Sequence, residues 1–431
     1  MTRATLALAG ALVASAIAAG VLLFYVISLS PEVGCDDATT GGPAVADEPA
    51  GAPAGRIIFF SDRDDPVPEG EWGFGAGEAY VANADGSGLT RPGIPALAFG
   101  AWSPDGRHIA FLKNSDIYVA NADGSGETNV TNGVGLGEMR GWSPDAKRIA
   151  FHSGRPGPSG VYVIDIYVVN ADATGLVNLT SFTDAEGDPE GANGPPFISA
   201  STFLSWSPDG TRIAFIGFRG GTNDIYAVGA DGSGVTKLTM SPASTGIDWF
   251  ALSPDGSRML FSAHPISDDF KAETFVINSD GSGLTRIAER GYVDWSPDSS
   301  RIVFSPETGQ VDEAEIFVMD ADGSNRARLA YGRSPAWSPD GKRIAFHCPR
   351  DGNVGIYITN VDGSNVTGVT PDQYDDQFSD WSPDGNYIAV DSYRDGSDNR
   401  EVYIVAADGS GRTNVSNHPA SDWGPQFAPG R

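Results

Sequence analysis

The residues best suited to chemistry in this sequence are acids gathered on irregular stretches. Asp62, Asp64 and Asp65, with Glu69, Glu71 and Trp72, form one group. Asp184, Glu186, Asp188 and Glu190 form a second, and Asp372, Tyr374, Asp375 and Asp376 a third. Such carboxylates are the oxygen donors a hard cation such as Ca²⁺ takes, roughly six to eight at a time. None of the groups has the spacing of a known calcium loop. Weak Ca²⁺ binding is the most they imply, and no cofactor is expected. Solvated acids with an interspersed Trp and Tyr suit contact with another molecule better.

Other chemistries have less to stand on. His108, His152, His264, His347 and His418 show no zinc-ligand spacing, and His152 and His347 occupy equivalent places far apart in the chain. No Gly-x-Ser-x-Gly elbow is present, and the many Gly-Ser-Gly triplets, such as Gly86-Ser87-Gly88, read as hairpin turns because no helix follows them. Cys35 and Cys348 are the only cysteines. Cys348 follows an apolar strand and reads as a small buried residue, and a bridge to Cys35 is not expected. Neither catalytic residues nor a metal site are expected.

What must position these groups is a repeat. The turn Ser-Pro-Asp begins at Ser103, Ser143, Ser207, Ser253, Ser296, Ser338 and Ser382. After it comes a β-prone run, as in Ile109-Ala110-Phe111 or Ile344-Ala345-Phe346, with an eighth copy at Ile57-Ile58-Phe59. A third run carries Tyr80, Tyr118, Tyr167, Tyr226, Phe275, Phe317, Tyr357 and Tyr403, and a second turn follows at Asp85, Asp123, Asp172, Asp231, Asp280, Asp322, Asp362 and Asp408. Four short strands with turn chemistry between them form a meander that cannot bury both faces alone. The first copy lacks its first strand, and the chain finishes on an orphan one, Asp422-Trp423-Gly424-Pro425-Gln426-Phe427. The fold expected is therefore all-β, an eight-bladed β-propeller of four-stranded antiparallel blades closed by the C-terminal strand, with seven blades the alternative.

Ahead of the repeats, residues 4–30 are uncharged and mostly apolar, with Arg3 before them. Their length suits a hydrophobic helix spanning a bilayer with the body outside the cytoplasm. Residues 1–34 thus read as a membrane anchor or signal segment. Cleavage, leading to secretion, and acylation at Cys35 in Val33-Gly34-Cys35 are the other two readings. Residues 35–55, rich in Pro, Gly, Ala and Asp, read as a disordered linker, and 56–431 as the propeller.

The net charge is −28, and fifteen of the 56 acids belong to the two repeated turns. The remaining acids still exceed the 28 Lys and Arg, which disfavours nucleic acid as a partner. Long insertions fall on one side of the repeat, at 61–77, 153–163 and 181–203, with shorter ones at 262–271 and 305–314. Loops on a rigid scaffold are where binding residues sit. A further acid opens the third strand in seven copies (Glu78, Asp116, Asp165, Asp224, Glu273, Glu315, Glu401), and pairing with a loop Arg (Arg63, Arg219 or Arg394) or with backbone donors is expected for it. Asn129, Asn178 and Asn414 match glycosylation sequons, but their shared place on strand four points to pairing within the blade.

Trp-Ser-Pro-Asp-Gly, Arg-Ile-Ala-Phe, Ile-Tyr-x-x-Asn-x-Asp-Gly-Ser and Leu-Thr together resemble the TolB-type, WD40-like propeller repeat. The resemblance covers about 56–427 and extends only to the propeller part, since the α/β domain preceding it in TolB has no counterpart here. It implies an extracytoplasmic platform that binds a protein or peptide; with the apolar segment 1–34 and the lack of catalytic motifs, the protein is read as a non-enzymatic, monomeric propeller tethered to the membrane. Some propellers of this kind accompany peptidase domains or act as pectic-oligosaccharide lyases, so a polysaccharide-acting enzyme with its site in the central channel is the alternative. The candidate ligand-binding residues are Asp62, Asp64, Asp65, Trp72, Asp184, Glu186, Asp188, Tyr374, Asp375 and Asp376.

Overall fold

The computed structural model describes residues 55–64, 77–95, 101–134, 139–156, 162–180, 203–219, 222–239, 245–265, 272–307, 314–350, 353–370, 375–394 and 399–430. Among these the secondary structure is β throughout, arranged in eight antiparallel sheets of propeller-blade type. The segment expected to form an N-terminal helix, and Cys35, lie outside the described residues. No helix among the described residues is long and apolar enough to cross a membrane.

The sheets fall into two compact units. One holds blades two to five, whose second strands are His108–Lys113, Arg148–Pro156, Arg212–Arg219 and Arg258–Pro265. The other holds blades six, seven and eight, with second strands Arg301–Pro306, Arg343–Arg350 and Tyr387–Ser392, together with blade one. In blade one, Arg56–Ser61 pairs on one side with Glu78–Asn83 and on the other with the C-terminal strand Asp422–Phe427. The orphan strand at the end of the chain thus completes the copy that lacks one.

Blade one differs from the expectation in having three strands rather than four. Its outermost strand is reduced to two isolated bridges, Val81 with Thr90 and Glu78 with Pro95. The intervening Pro92-Gly93 and Pro95 explain this, because proline has no N–H for the ladder and glycine weakens it. The other seven sheets have four strands. Part of what reads as insertion is regular: 153–156 and 162–165 extend a hairpin, with Arg155 opposite Val163 and Pro156 opposite Tyr162. In blade five likewise, Ser262 and Ala263 stay in register with the third strand.

Side-chain alternation explains why blades stack. In strand two of blade seven, Ile344 and Phe346 pack on Val303, Ile316 and Val318 of blade six, while Ala345 between them faces Trp381, Ile388 and Val390 of blade eight. Period two therefore gives blade seven a bulky face toward its predecessor and a small one toward its successor. The same division holds where blade three meets blade four, with Ala150 set against Trp206, Ile213 and Phe215. Burying one such Ile or Phe is worth about 1.5–3 kcal/mol. The strand-two Phe also stacks on the strand-three aromatic, at ring separations from 5.4 Å (Phe151–Tyr167) to 6.0 Å (Phe346–Tyr357).

Each Ser-Pro-Asp turn is a closed polar unit. In blade seven the Ser338 hydroxyl donates to Asp340 at 2.6 Å and accepts from the Arg343 N–H at 3.0 Å, while Asp340 accepts from the Lys342 N–H. The same bonds recur in blade four, where the hydroxyls of Ser207 and Thr211 hold the Asp209 carboxyl down at about 2. The fourth turn position is left-handed (φ 68° at Gly341), which favours glycine. Blade three carries Ala146 there, at φ 58°. Neighbouring blades are further joined through tryptophan. Trp142 donates its indole N–H to the Ala101 carbonyl at 3.1 Å, and Trp206 to that of Gly141 at 3.3 Å.

Candidate functional site at the loop-bearing end of blades eight and one

Of the candidate acids, the first group falls between strands two and three of blade one, and the other two fall between strand four of one blade and strand one of the next, after Asn178 and after Gly368. At this end of blades eight and one the chain buries three arginine–aspartate pairs. Arg63 reaches Asp422, the first residue of the closing strand, at 2.9 Å, and Asp422 has no exposed surface. In blade eight Arg394 meets both carboxylate oxygens of Asp376, again the first residue of strand one, at 3.0 Å each. Arg400 meets Asp391 at 2.6 Å. Charge-assisted bonds of this kind are strong where water is excluded, but the pairs carry a desolvation cost. Burial pushes the Asp422 carboxyl up, with Ser61 and Arg63 opposing the rise. Burial likewise raises Asp391 against the pull of Arg400 and the Gly424 N–H.

Local sequence builds two of these pairs identically. In Ser61-Asp62-Arg63 and Ser392-Tyr393-Arg394 a buried serine ends strand two and the arginine follows two residues later. The serine hydroxyl accepts from the arginine Nε, at 2.9 Å for Ser61 and 3.1 Å for Ser392. The guanidinium then lies over the strand-three tyrosine, 4.6 Å from the Tyr80 ring and 4.9 Å from that of Tyr403. This turn of the side chain aims the positive charge at strand one and not at the acid opening strand three.

For Arg63 and Arg394 the expected pairing with the strand-three acids is corrected. Arg63 and Arg394 take the strand-one aspartates, and the strand-three acids find most of their partners on strand four and just beyond it. Asp116 accepts from the Thr131 hydroxyl and the Asn129 amide, and Glu401 from the Ser416 hydroxyl at 2.6 Å. Glu273 pairs with Arg286 at 2.6 Å, Glu315 with Arg328 at 2.7 Å, and Glu78 with Arg91. Backbone donors contribute as expected, the Gly133 N–H to Asp116 and the His418 N–H to Glu401. The sequon asparagines serve the same network, Asn178 donating to Asp165 and Asn414 to the Tyr403 hydroxyl.

Four of the ten candidate ligand-binding residues are described. Asp64 is exposed, accepts from the Tyr80 hydroxyl and lies 3.3 Å from Arg91. Asp62 donates its N–H to the Ser421 carbonyl, and its buried Oδ1 has no hydrogen-bond partner. Asp375 accepts from the Val354 N–H of blade seven at 3.1 Å. Asp376 is fully buried and paired with Arg394. Asp65, Trp72, Asp184, Glu186, Asp188 and Tyr374 lie outside the described residues. Around the same ends, Asp391 Oδ1, Asn399 Oδ1, Arg400 Nε and Asp422 Oδ2 are also buried without a hydrogen-bond partner. Among the described residues no three His, Cys, Asp or Glu side chains are placed to hold a metal ion.

Sequence reasoning missed Arg400, Asp391 and Asp422. The repeated Ser-x-Arg, together with an aspartate opening strand one in only these two blades, is the signal that points to the arginine–aspartate pairs. His347 is buried and accepts the Phe378 N–H of blade eight at 3.1 Å, with burial and Arg333 holding its pKa down to about 3. It is a neutral structural acceptor. Cys348 is fully buried as expected, but it is disulfide-bonded, which corrects the expectation of an unbridged residue. The chain's one other cysteine, Cys35, is outside the described residues.

Comparison with solved structures supports the fold. Dipeptidyl peptidase 4 of Porphyromonas gingivalis aligns with a TM-score of 0.57 at 13% identity, over 74% of this chain and 53% of that one. TolB from Acinetobacter baumannii aligns at 16% identity with a TM-score of 0.37, over 76% of this chain and 82% of that one. An uncharacterized protein of Agrobacterium fabrum is 32% identical over 109 residues, 24% of this chain. The match spans 35% of that relative's length, about a third. The TolB β-propeller domain model matches residues 331–431, which comprise blades seven and eight and the closing strand. Those blades carry the same turn and strand pattern as the others, and this pattern is similar to that of TolB-type β-propellers.

Proposed function

We propose that the protein is a non-enzymatic, extracytoplasmic platform that binds a protein or peptide through the loop-bearing end of its blades, held at the membrane by residues 1–34. The observation that carries this reading is the set of buried pairs Arg63–Asp422 and Arg394–Asp376. They cost desolvation energy and fix the bases from which the loops depart. A base of this kind lets loop sequence vary for recognition without disturbing the strands beneath. The acidic and aromatic side chains of 65–76, 181–202 and 371–374 supply the contacts.

Chemical cross-linking of intact envelopes, followed by capture and mass spectrometry, tests the proposal. A variant with 65–76 and 181–202 shortened, but with Arg63 kept, serves as the control. A reproducible protein partner that the variant loses is the expected result. Capture of the same set by both proteins contradicts the loop assignment. Absence of any protein partner, with turnover of an oligosaccharide instead, contradicts the platform reading.

A further inference from the structure

The opposite end of blades seven, eight and one, where the Ser-Pro-Asp turns lie, carries a shallow cleft of about 600 Å³. Pro339 and Pro383 from two successive turns, together with Pro429 after the closing strand, form its walls. Trp381, Phe427 and the carboxylate of Asp380 line it deeper in. The chain lies close here, since a Cβ on Gly430 would come within 2.7 Å of Pro383 Cβ. One oxygen of Asp380 accepts the Phe427 N–H at 2.9 Å. Among the described residues no other bond from a neighbouring blade reaches it.

Among the described residues, the charged groups around Asp380 leave it without a cation. Asp340 and Asp384 are engaged by their own turns, each accepting from a serine hydroxyl and a backbone N–H. Arg343 is turned away over the face of Trp381, 5.4 Å from the ring, and bonds the Gly385 carbonyl at 2.6 Å. Burial consequently lifts the Asp380 carboxyl to about 7, opposed only by the N–H groups of Phe427 and Trp381. Three exposed proline rings beside an uncompensated carboxylate match one kind of group well. A lysine or arginine side chain lays its methylene stem on apolar rings while its charged head seeks an acid.

We propose that this cleft is a second docking point, in which a basic side chain on an extended segment of a partner protein packs against Pro339, Pro383 and Pro429 and ion-pairs with Asp380. The site is at the other end of the blades from the loops, so shortening the loops leaves it intact.

Ligand-observed NMR titration of the full chain at pH 8 and pH 5 tests it. The probes are an acetylated eight-residue peptide of alanine and glycine with one central lysine, its norleucine twin, and n-butylammonium. At pH 8 the lysine peptide binds about tenfold tighter than the norleucine peptide, the worth of one partly desolvated ion pair. Asp380→Asn removes that preference, and lowering the pH to 5 weakens it, because the carboxyl is then protonated. Pro339→Ala combined with Pro383→Ala lowers the affinity for the lysine peptide at either pH while leaving the strands untouched, and it decides the matter should Asp380→Asn fail to fold. Equal binding of the two peptides, no binding of either, or an unchanged preference in these variants overturns the proposal. Binding of n-butylammonium as tight as that of the lysine peptide also overturns it, assigning the cleft to a free amine.

Discussion

Two residues set an unusual dependence of stability on pH. Asp294 and Asp380 each stand before the strand-one Trp and accept a backbone N–H from the next blade, Trp337 at 2.9 Å and Phe427 at 2.9 Å. Burial raises their carboxyls from the ordinary 3.8 to about 6 and about 7. A carboxyl whose folded pKa is raised contributes most below pH 4, and that contribution is lost as the pH climbs through 6 to 7. Asp294→Asn and Asp380→Asn should therefore match the wild type near pH 4 and exceed it at pH 8, by about 1–3 kcal/mol for Asp380 after allowing for the water that reaches it. His347 works in the opposite direction. Its folded pKa of about 3 lies below the usual 6.5, so its contribution is present above pH 6.5 and is lost as the pH falls toward 3. Thermal melts from pH 4 to 8 check both signs, and a greater stability of Asp380→Asn at pH 4 than at pH 8, relative to wild type, would sink the assignment.

Turns and strand ends show which parts of an element depend on one side chain. The left-handed position filled by Ala146 strains a residue with a Cβ, whereas five of the seven copies place Gly there. Ala146→Gly should stabilise the chain by about 0.5–1 kcal/mol in denaturant titration, despite the greater freedom of glycine in the unfolded state. At the other end of the blades, Arg394→Met takes the guanidinium away from the buried Asp376 and should cost about 3–5 kcal/mol. Adding Asp376→Leu should recover most of that loss, since the pair costs desolvation energy that an apolar pair does not. A double variant no more stable than Arg394→Met would mean that the aspartate has a second partner that matters more. The turns were legible because Ser, Pro, Asp and Gly each have one job at one position. The pairs at the strand ends were not, because the arginine bends over a tyrosine ring to reach a strand whose place beside it only the fold reveals. Asp294 and Asp380 did leave a trace, an aspartate before Trp where other copies carry Ala, Gly or Ser.

At the scale of the whole molecule, the repeat made the blade count and the closing strand readable from sequence. Eight runs of the strand-two type could not be accommodated as seven blades once the orphan strand was matched to the incomplete first copy. The missing fourth strand of blade one was less legible, since Thr90 and Pro95 hold the right places but Pro92 and Pro95 have no N–H to give a ladder. Most of the candidate binding residues fall in stretches whose sequences follow no repeat, so periodicity does not place them. The account rests above all on the closing strand, which joins Asp422, Phe427 and the Asp380 cleft to blades one and eight. Hydrogen exchange on the intact chain, read by mass spectrometry, measures that strand directly. If Asp422–Phe427 completes blade one, its paired amides exchange as slowly as those of Tyr387–Ser392 and open only with the surrounding blades. Rapid exchange across 422–427 while Arg56–Ser61 stays protected would show that the last strand does not close the first blade.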